Sequence, residues 1–447
     1  MKQKSQTSAI SPARLAAFRI LRRVEEQEAF ASALVAGLDD LSPKDRALAQ
    51  EITLGVLRWQ REIDYFIARY TRRPVEKLDS PVRIALRLGV YQLRHLARIP
   101  PSAAVNESVS LVKRARLKSA APMVNAALRN AARHLTDEAG EGIEDSIEKK
   151  SIEVSHPRWM LERWIKLLGE DEALALAAAN NLSPPLVFRV NTLRADEDET
   201  LRALGEEGVR VEQSEFVPHA FTLRSGQASK IARRAASGDL YIQDEASQLV
   251  SLLVEAKPDH RILDLCAAPG SKSSHLAALT RDRAWIIACD LYQHRLATLA
   301  QNCQILGAHS IDAVAVDATN DLPFEEKFDR VLLDAPCSGT GTLRRNPEIK
   351  WRLTREDIDR LSQLQTALLD RAARAVAPRG RLVYSTCSVE AEENEEVIRR
   401  FLESGSAFRL IEPRAHPSLV TDEKFVRTFP HRHNSDGFFA AVMERID

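Results

Sequence analysis

The chain has 447 residues, with 63 Lys+Arg against 63 Asp+Glu, 44% hydrophobic and 28% charged. That balance belongs to a folded globular protein of about two or three domains and excludes a disordered, collagen-like or disulfide-stapled chain. No run reaches the ~20 consecutive apolar residues of a membrane span. The opening Met1-Lys-Gln-Lys-Ser-Gln-Thr lacks the apolar core of a signal peptide. The five cysteines are odd in number and have no zinc-ligand spacing, so reduced thiols in a cytoplasmic protein without a metal are expected.

Residues 1–135 read as an all-helical domain. Ser11-Pro12, Ser42-Pro43 and Ser80-Pro81 each open an amphipathic stretch, serine capping free amides and proline sitting where no amide is needed. Apolar residues recur at helical spacing after Pro43 (Leu48, Ile52, Val56) and after Pro81 (Ile84, Leu88, Tyr91), and further helices fit Val105–Lys113 and Met123–His134. This segment holds 24 Lys+Arg against 12 Asp+Glu, and its arginines are expected to be exposed. Residues 136–154, with 2 against 7 and glycines at 140 and 142, read as an acidic solvated linker; residues 155–447 hold 37 against 44. A basic module joined to a mildly acidic one suggests that the basic part faces a polyanion, a nucleic acid above all.

Residues 155–240 read as a small α/β subdomain. A helix runs over Trp159–Leu168, strands over Leu186–Asn191, Val209–Glu212 and Ala220–Leu223, and a helix over Glu197–Leu204. Residues 241–447 alternate helices with short apolar strands at Arg261–Leu265, Trp285–Cys289, Ala313–Val316, Arg330–Leu333 and Arg381–Ser385. Such alternation predicts a parallel, doubly wound sheet with its site at the strand ends.

The first of these strands runs into a turn, Cys266, Ala267, Ala268, Pro269, Gly270, Ser271 and Lys272. A dinucleotide fingerprint needs three glycines and a phosphate loop needs two, and this turn has one; S-adenosylmethionine, with no phosphates, is the cofactor that fits. Asp264, Asp290, Asp317 and Asp334 stand at the ends of successive strands. Asp290 is suited to the ribose hydroxyls and Asp317 lies beside the expected adenine. A single strand-end aspartate is most often a helix cap, but four along one edge outweigh that reading. Cys289 and Cys303 read as small buried hydrophobes, whereas Cys337, in Asp334-Ala-Pro-Cys-Ser-Gly, and Cys387, in Ser385-Thr-Cys-Ser, stand at strand ends among small polar residues.

These motifs resemble the RNA cytosine-5 methyltransferases. The resemblance rests on the Cys266–Lys272 turn, the two cysteine motifs, the acidic segment after Cys387, Gln243–Gln248 and Asp436–Phe439. One departure is Ser271, where the family usually has glycine. The N-terminal helices are similar to the antitermination factor NusB. The fold implied is a NusB-like all-α domain followed by an α/β Rossmann-like methyltransferase domain with a small RRM-like subdomain. The implied activity is transfer of a methyl group from S-adenosylmethionine to carbon 5 of a cytosine in 16S rRNA by a monomer, with tRNA as the alternative substrate and a degenerate RNA-binding factor as the non-enzymatic one. A thiolate adding to carbon 6 makes carbon 5 nucleophilic, while Asp334 binds the ring and Lys272 partners Asp334 electrostatically. Spacing alone leaves open which cysteine attacks; the resemblance implies Cys387 as nucleophile, with Cys337 assisting release. The densest basic cluster, Lys113, Arg114, Arg116 and Lys118, is expected to meet phosphates.

Overall fold

A computed structural model describes residues 10–447. The N-terminal segment read above for targeting lies outside the described residues, as do the first nine residues of the helical domain. The chain divides into two compact units: residues up to Ser183 together with Leu343–Arg352, and Pro184–Thr342 together with Leu353–Asp447.

The first unit is helical. Helices Pro12–Gln27, Pro43–Arg58, Gln60–Thr71, Ser80–His95, Pro101–Arg114 and Ala121–Arg133 bury Ile52, Ile63, Phe66, Leu86, Leu88 and Leu128 without exposure. Ser42 caps as expected, accepting a hydrogen bond from Asp45 N at 3.1 Å. Two starts differ: the Ser11 side chain makes no cap, and the N-cap position before Ser80 is taken by Asp79. Not all the arginines are exposed either. Arg14 is buried against Glu107 at 2.9 Å, and buried Arg58 donates to Arg344 O at 2.8 Å. Arg87 binds both Asp64 at 2.7 Å and Glu25 at 3.1 Å, and Arg83 shares Glu25.

Residues 136–154, expected as a solvated linker, are part of this unit. They carry helix Ser146–Glu153, capped by Asp145. Their acids serve as counterions: Glu148 pairs with Arg61 at 2.6 Å, and Asp137 and Glu141 both pair with Arg69. Helices Arg158–Leu168 and Glu170–Asn180 also belong here, so the contacts divide the chain later than the expected break at 155. The cause is apolar: Trp164, Leu161 and Leu176 are completely buried.

The segment Leu343–Arg352 adds a polar plug to the helices. Lys350, 1% exposed, donates to Arg58 O at 2.7 Å, Ser155 O at 2.9 Å and Asn181 Oδ1 at 2.9 Å. Trp351 Nε1 donates to Leu57 O at 2.7 Å, and Arg352 donates to the carbonyls of Val24, Glu28 and Ala29.

The second unit has two sheets. Strands β1 (Val187–Val190), β2 (Arg210–Gln213), β3 (Ala220–Ser225) and β4 (Leu240–Ile242) form an antiparallel sheet in the order β2-β3-β1-β4. Helices Glu197–Glu206 and Ala228–Ser237 follow β1 and β3, which is the split βαββαβ plan. The larger sheet contains β5 (Arg261–Leu265), β6 (Trp285–Asp290), β7 (Ile311–Ala315), β8 (Phe328–Asp334), β9 (Val376–Thr386), β10 (Phe408–Leu410), β11 (Val426–Thr428) and β12 (Phe438–Arg445). Its order is β10-β12-β9-β8-β5-β6-β7, with β11 paired to β12.

The five expected strands, β5 to β9, are parallel. The sheet as a whole is mixed, since β12 runs antiparallel to β9 and carries β10 and β11 antiparallel to itself. Read alone, the apolar run Phe438–Met443 does not distinguish strand from buried helix, and its pairing with β9 is non-local. The parallel part grows from β5 in both directions, β6 and β7 to one side and β8 and β9 to the other. Ligands bind outside the carboxyl ends of strands at such a reversal.

Candidate active site

Strand order lines up the candidate residues along one edge. Cys387 follows β9, Asp334 ends β8 with Cys337 three residues on, the Cys266–Lys272 turn follows β5, Asp290 ends β6, and Asp317 follows β7. The sequence scatters these residues over 122 positions, and the sheet makes them neighbours strand by strand.

The turn after β5 is a tightly bonded cradle. Cys266 has φ +61°, Ala267 N donates to Cys289 O at 2.7 Å, and Gly270 N donates back to Ala267 O at 2.8 Å. Gly270 has φ +94°, and a Cβ there would meet Leu299 Cγ at 2.9 Å, so glycine is required twice over. Ser271 opens helix Ser271–Leu279 directly from this residue. Arg295 donates to Ala268 O at 2.8 Å and Asn302 to Pro269 O at 2.9 Å, fixing the turn from the helix after β6.

Two buried carboxylates face this region with oxygens lacking a hydrogen-bond donor: Asp264 Oδ1 and Asp290 Oδ2. Asp264 is wholly buried, and its other oxygen accepts from Ser273 Oγ at 2.6 Å. Burial pushes its pKa up to about 7 against that hydrogen bond, with the charge of Asp334 adding. Asp290 Oδ1 accepts from Tyr292 N at 3.1 Å, and Arg295 lies 3.1 Å from Oδ2 without hydrogen-bond geometry. Unpaired buried acceptors beside a glycine cradle suit a ligand with hydroxyl and cationic groups, as S-adenosylmethionine has. Asp317 differs: it is exposed, and its carboxylate is engaged by Thr319 N, Thr319 Oγ1 and Asn320 Nδ2 at 2.6–3.0 Å. Those bonds hold its pKa low and make it a turn cap as well as a strand-end acid.

The reactive side of the edge is built around Asp334. Lys272 Nζ donates to its Oδ2 at 2.7 Å and Ser385 Oγ to its Oδ1 at 2.8 Å. Burial disfavours the Lys272 ammonium, but the carboxylate outweighs this, so the lysine stands above its ordinary pKa. The sulfurs of Cys337 and Cys387 lie 3.3 Å apart. The hydrogen bond with Cys387, reinforced by burial, raises Cys337 well above the ordinary thiol range. Cys289 and Cys303 are buried in the core, their thiols pushed up to about 12 and about 11 by desolvation. Sequence reasoning missed Ser385, Arg295 and a buried carboxylate, Glu393, whose place in the acidic run after Cys387 reads as solvated surface.

In the helical unit, Lys113, Arg114, Arg116 and Lys118 are all exposed, and among the described residues none has a hydrogen bond or ion pair from its side chain. Arg114 also lines a groove of about 420 Å³ with Arg19, Arg22 and Arg23. No group of His, Cys, Asp and Glu among the described residues is arranged to hold a metal, and no helix there is long and apolar enough to cross a membrane.

Comparison with known proteins covers the whole of this arrangement. Residues 251–444 match the family model described as 16S rRNA methyltransferase RsmB/F, residues 11–133 match the NusB family, and residues 156–229 match the ferredoxin-like domain of RsmF/B-like methyltransferases. The ribosomal RNA small subunit methyltransferase B of Pseudomonas syringae is 33% identical over 97% of this chain and 97% of its own. The probable enzyme of that name from Synechocystis is 36% identical over 97% and 99%, and that of Bacillus subtilis 33% over 96% and 98%. Among solved structures, that of PH0851 superposes with a TM-score of 0.83 at 30% identity, covering 98% of this chain and 99% of the other. NSun6 from Pyrococcus horikoshii, solved with SFG, has a TM-score of 0.59 at 22% identity over 65% of this chain and 98% of its own, a likeness of fold.

Proposed function

The chain belongs to the 16S rRNA methyltransferase RsmB/F family and is an S-adenosylmethionine-dependent RNA methyltransferase, and on that premise we propose that it methylates carbon 5 of one cytosine in 16S rRNA through a covalent cysteine adduct. The implied position is cytosine 967. The observation that carries the reading is the pair of thiols 3.3 Å apart beside the Lys272–Asp334 ion pair. A core needs no such pair at a strand edge, whereas cytosine activation needs a nucleophile and a second group for release.

In this reading Cys387, as thiolate, adds to carbon 6, and the electron pair moves onto the ring so that carbon 5 becomes nucleophilic. Asp334 meets the ring nitrogen and amino group, and Lys272 holds its carboxylate in place while the charge on the ring changes. S-adenosylmethionine, when bound, supplies an electrophilic methyl group; the Cys266–Lys272 turn, Asp290 and Asp317 would hold it. Once carbon 5 carries the methyl group, it gives up its proton to a base, the carbon–sulfur bond breaks, and the Cys387 thiolate returns. Cys337 assists this release, a role supported by its sulfur lying 3.3 Å from that of Cys387.

Lys113, Arg114, Arg116 and Lys118 contact RNA phosphates. The protein acts as a cytoplasmic monomer, and the chemistry resides in 241–447. A denaturing gel with labelled RNA tests the thiol roles. Cys387→Ser abolishes methylation and forms no adduct; Cys337→Ala accumulates a protein–RNA adduct. Adduct with Cys387→Ser and none with Cys337→Ala reverses the roles. Bisulfite sequencing of rRNA and tRNA from cells lacking the protein identifies the substrate, and a lost tRNA mark in place of a 16S one overturns the rRNA assignment.

A further inference from the structure

The two cysteine loops are joined by a side chain that belongs to neither. Glu393 lies in the 3-10 turn Ala391–Glu393 and is completely buried. Its carboxylate receives four donors. Oε1 accepts from Ser338 N at 2.8 Å and Gln365 Nε2 at 3.0 Å; Oε2 accepts from Ser338 Oγ and from Ser388 Oγ, both at 2.5 Å. Ser338 directly follows Cys337, and Ser388 directly follows Cys387. One carboxylate therefore spans the two loops one residue away from each thiol.

The surrounding bonds tighten the same junction. Asn394 Nδ2 donates to Ser388 O at 2.9 Å and its Oδ1 accepts from Thr386 Oγ1 at 2.5 Å. Thr340, on the Cys337 side, accepts from Val389 N at 3.1 Å, and Gly341 N donates to Cys387 O at 2.9 Å. Gly341 has no room for a side chain: a Cβ would sit 1.9 Å from Gly437 O. Glu393 itself is bonded from the sheet, with Tyr384 OH donating to its carbonyl at 2.6 Å.

A buried carboxylate among hydroxyls and amides, with no cation bonded to it, is an expensive way to hold two loops if burial alone is wanted. An apolar side chain there would fill the space without fixing where the loops stand relative to each other. We infer that Glu393 is a positioning residue that sets the separation of Cys337 and Cys387 by bridging Ser338 and Ser388. The inference rests on the two-thiol reading above. It assigns Glu393 no contact with RNA or cofactor; its influence passes through the two serines.

The test uses the full chain and three substitutions. Glu393→Asp keeps the charge but withdraws the carboxylate by one carbon–carbon bond, so it cannot reach both serines. Glu393→Ala removes the bridge. Glu393→Gln keeps the reach, since serine hydroxyls can accept from an amide as well as donate to an oxygen. Misplacement of reacting groups by about 1 Å costs about 100-fold in rate. The expected result is therefore a fall in kcat of about 100-fold for Glu393→Asp and Glu393→Ala, with Glu393→Gln within about tenfold of wild type. The KM for RNA and the affinity for S-adenosylmethionine stay within about twofold in all three, because neither ligand touches Glu393. Wild-type kcat in Glu393→Asp overturns the inference, as does a loss in Glu393→Gln equal to that in Glu393→Asp. Losses of cofactor affinity and melting temperature that parallel kcat make Glu393 a fold residue and overturn it too. If Glu393→Ala does not fold, the Asp and Gln pair decides. Failure of the two-thiol reading shows separately, in wild-type enzyme that leaves carbon 5 unmethylated or in Cys337→Ala enzyme without adduct.

Discussion

Cations fill the helical unit, and most of those at its helix junctions are already held. Arg83 and Arg87 share Glu25, Arg87 also grips Asp64, Arg69 grips Asp137 and Glu141, and Lys350 and Arg352 are taken up by backbone carbonyls. Among the described residues, exposed cations without a partner remain, Arg19, Arg72, Arg98 and Arg129 among them, and Lys113, Arg114, Arg116 and Lys118 are their densest run. The methyltransferase unit handles the opposite charge differently. Asp264 and Asp290 are buried with an oxygen short of a donor, whereas Glu393 is buried and fully satisfied. In both units the groups suited to a ligand are those whose bonding is incomplete, and a fully bonded charge holds structure. Net charge summed over a segment cannot make that distinction.

The sharpest test of the contrast sets unpaired cations against paired ones. Replacing Lys113, Arg114, Arg116 and Lys118 together by alanine should weaken RNA binding by about 100-fold or more at low salt and flatten the salt dependence by ~0.7–0.9 per lost phosphate contact. Cofactor affinity should not change. Arg87→Met removes a single cation that already has carboxylate partners; it should leave RNA affinity within about twofold while costing about 3 kcal/mol of stability, because Asp64 loses its counterion and Glu25 keeps only Arg83. Filter binding at several salt concentrations and thermal melts read both. Equal losses of RNA affinity in the two proteins would erase the difference between locked and free cations.

A smaller effect is expected at the cofactor edge. Asp290→Ala should weaken S-adenosylmethionine by about 10- to 100-fold, the worth of charge-assisted hydrogen bonds of roughly 1.5–3 kcal/mol. Calorimetry giving unchanged affinity in a folded variant removes Asp290 from the site.

The smallest effect is one of pH. Asp264 titrates at about 7 in the folded chain against an ordinary value of 3.8, so between those values the folded chain holds a proton that the unfolded chain has lost. Its contribution to stability therefore falls as pH rises from roughly 4 to 7. A cationic ligand favours the ionised form, so cofactor affinity should climb up to about fivefold from pH 6 to 7 and level off above about pH 8. Asp264→Asn should flatten both profiles; an unchanged pH profile in that variant assigns the titration to another group.

Much of this was readable in the residues because local signals carried it. Ser42-Pro43 marks a helix start with side-chain chemistry, and the short apolar strands β5 to β9 are bounded by turn residues whose types differ from their own. The order of those strands turns residues as distant as Cys266 and Cys387 into neighbours, and the two thiol motifs were conspicuous because small polar residues surround them. What stayed hidden is non-local. Glu393 sits among Glu390, Glu392, Glu395 and Glu396, a run that reads as solvated, and only tertiary structure selects Glu390 and Glu393 to be buried. Lys350 gives no sign in sequence that three oxygens await it. The acids of 136–154 look like a tether until Arg61 and Arg69 come within reach.

The polar plug Leu343–Arg352 has a consequence for the molecule's ancestry. A helical module joined to a catalytic one by a single tether can be lost again through one deletion, leaving each half intact. Here the helical module is completed by ten residues encoded deep inside the catalytic half, between Thr342 and Leu353. Deleting the N-terminal residues would strand Trp351, Lys350 and Arg352 without the carbonyls they bind, and expressing the helices alone would leave those carbonyls unmet. The joint is therefore one-sided: the catalytic half carries part of the helical fold in its gene, and a descendant without the N-terminal residues would have to lose or rebuild the plug as well.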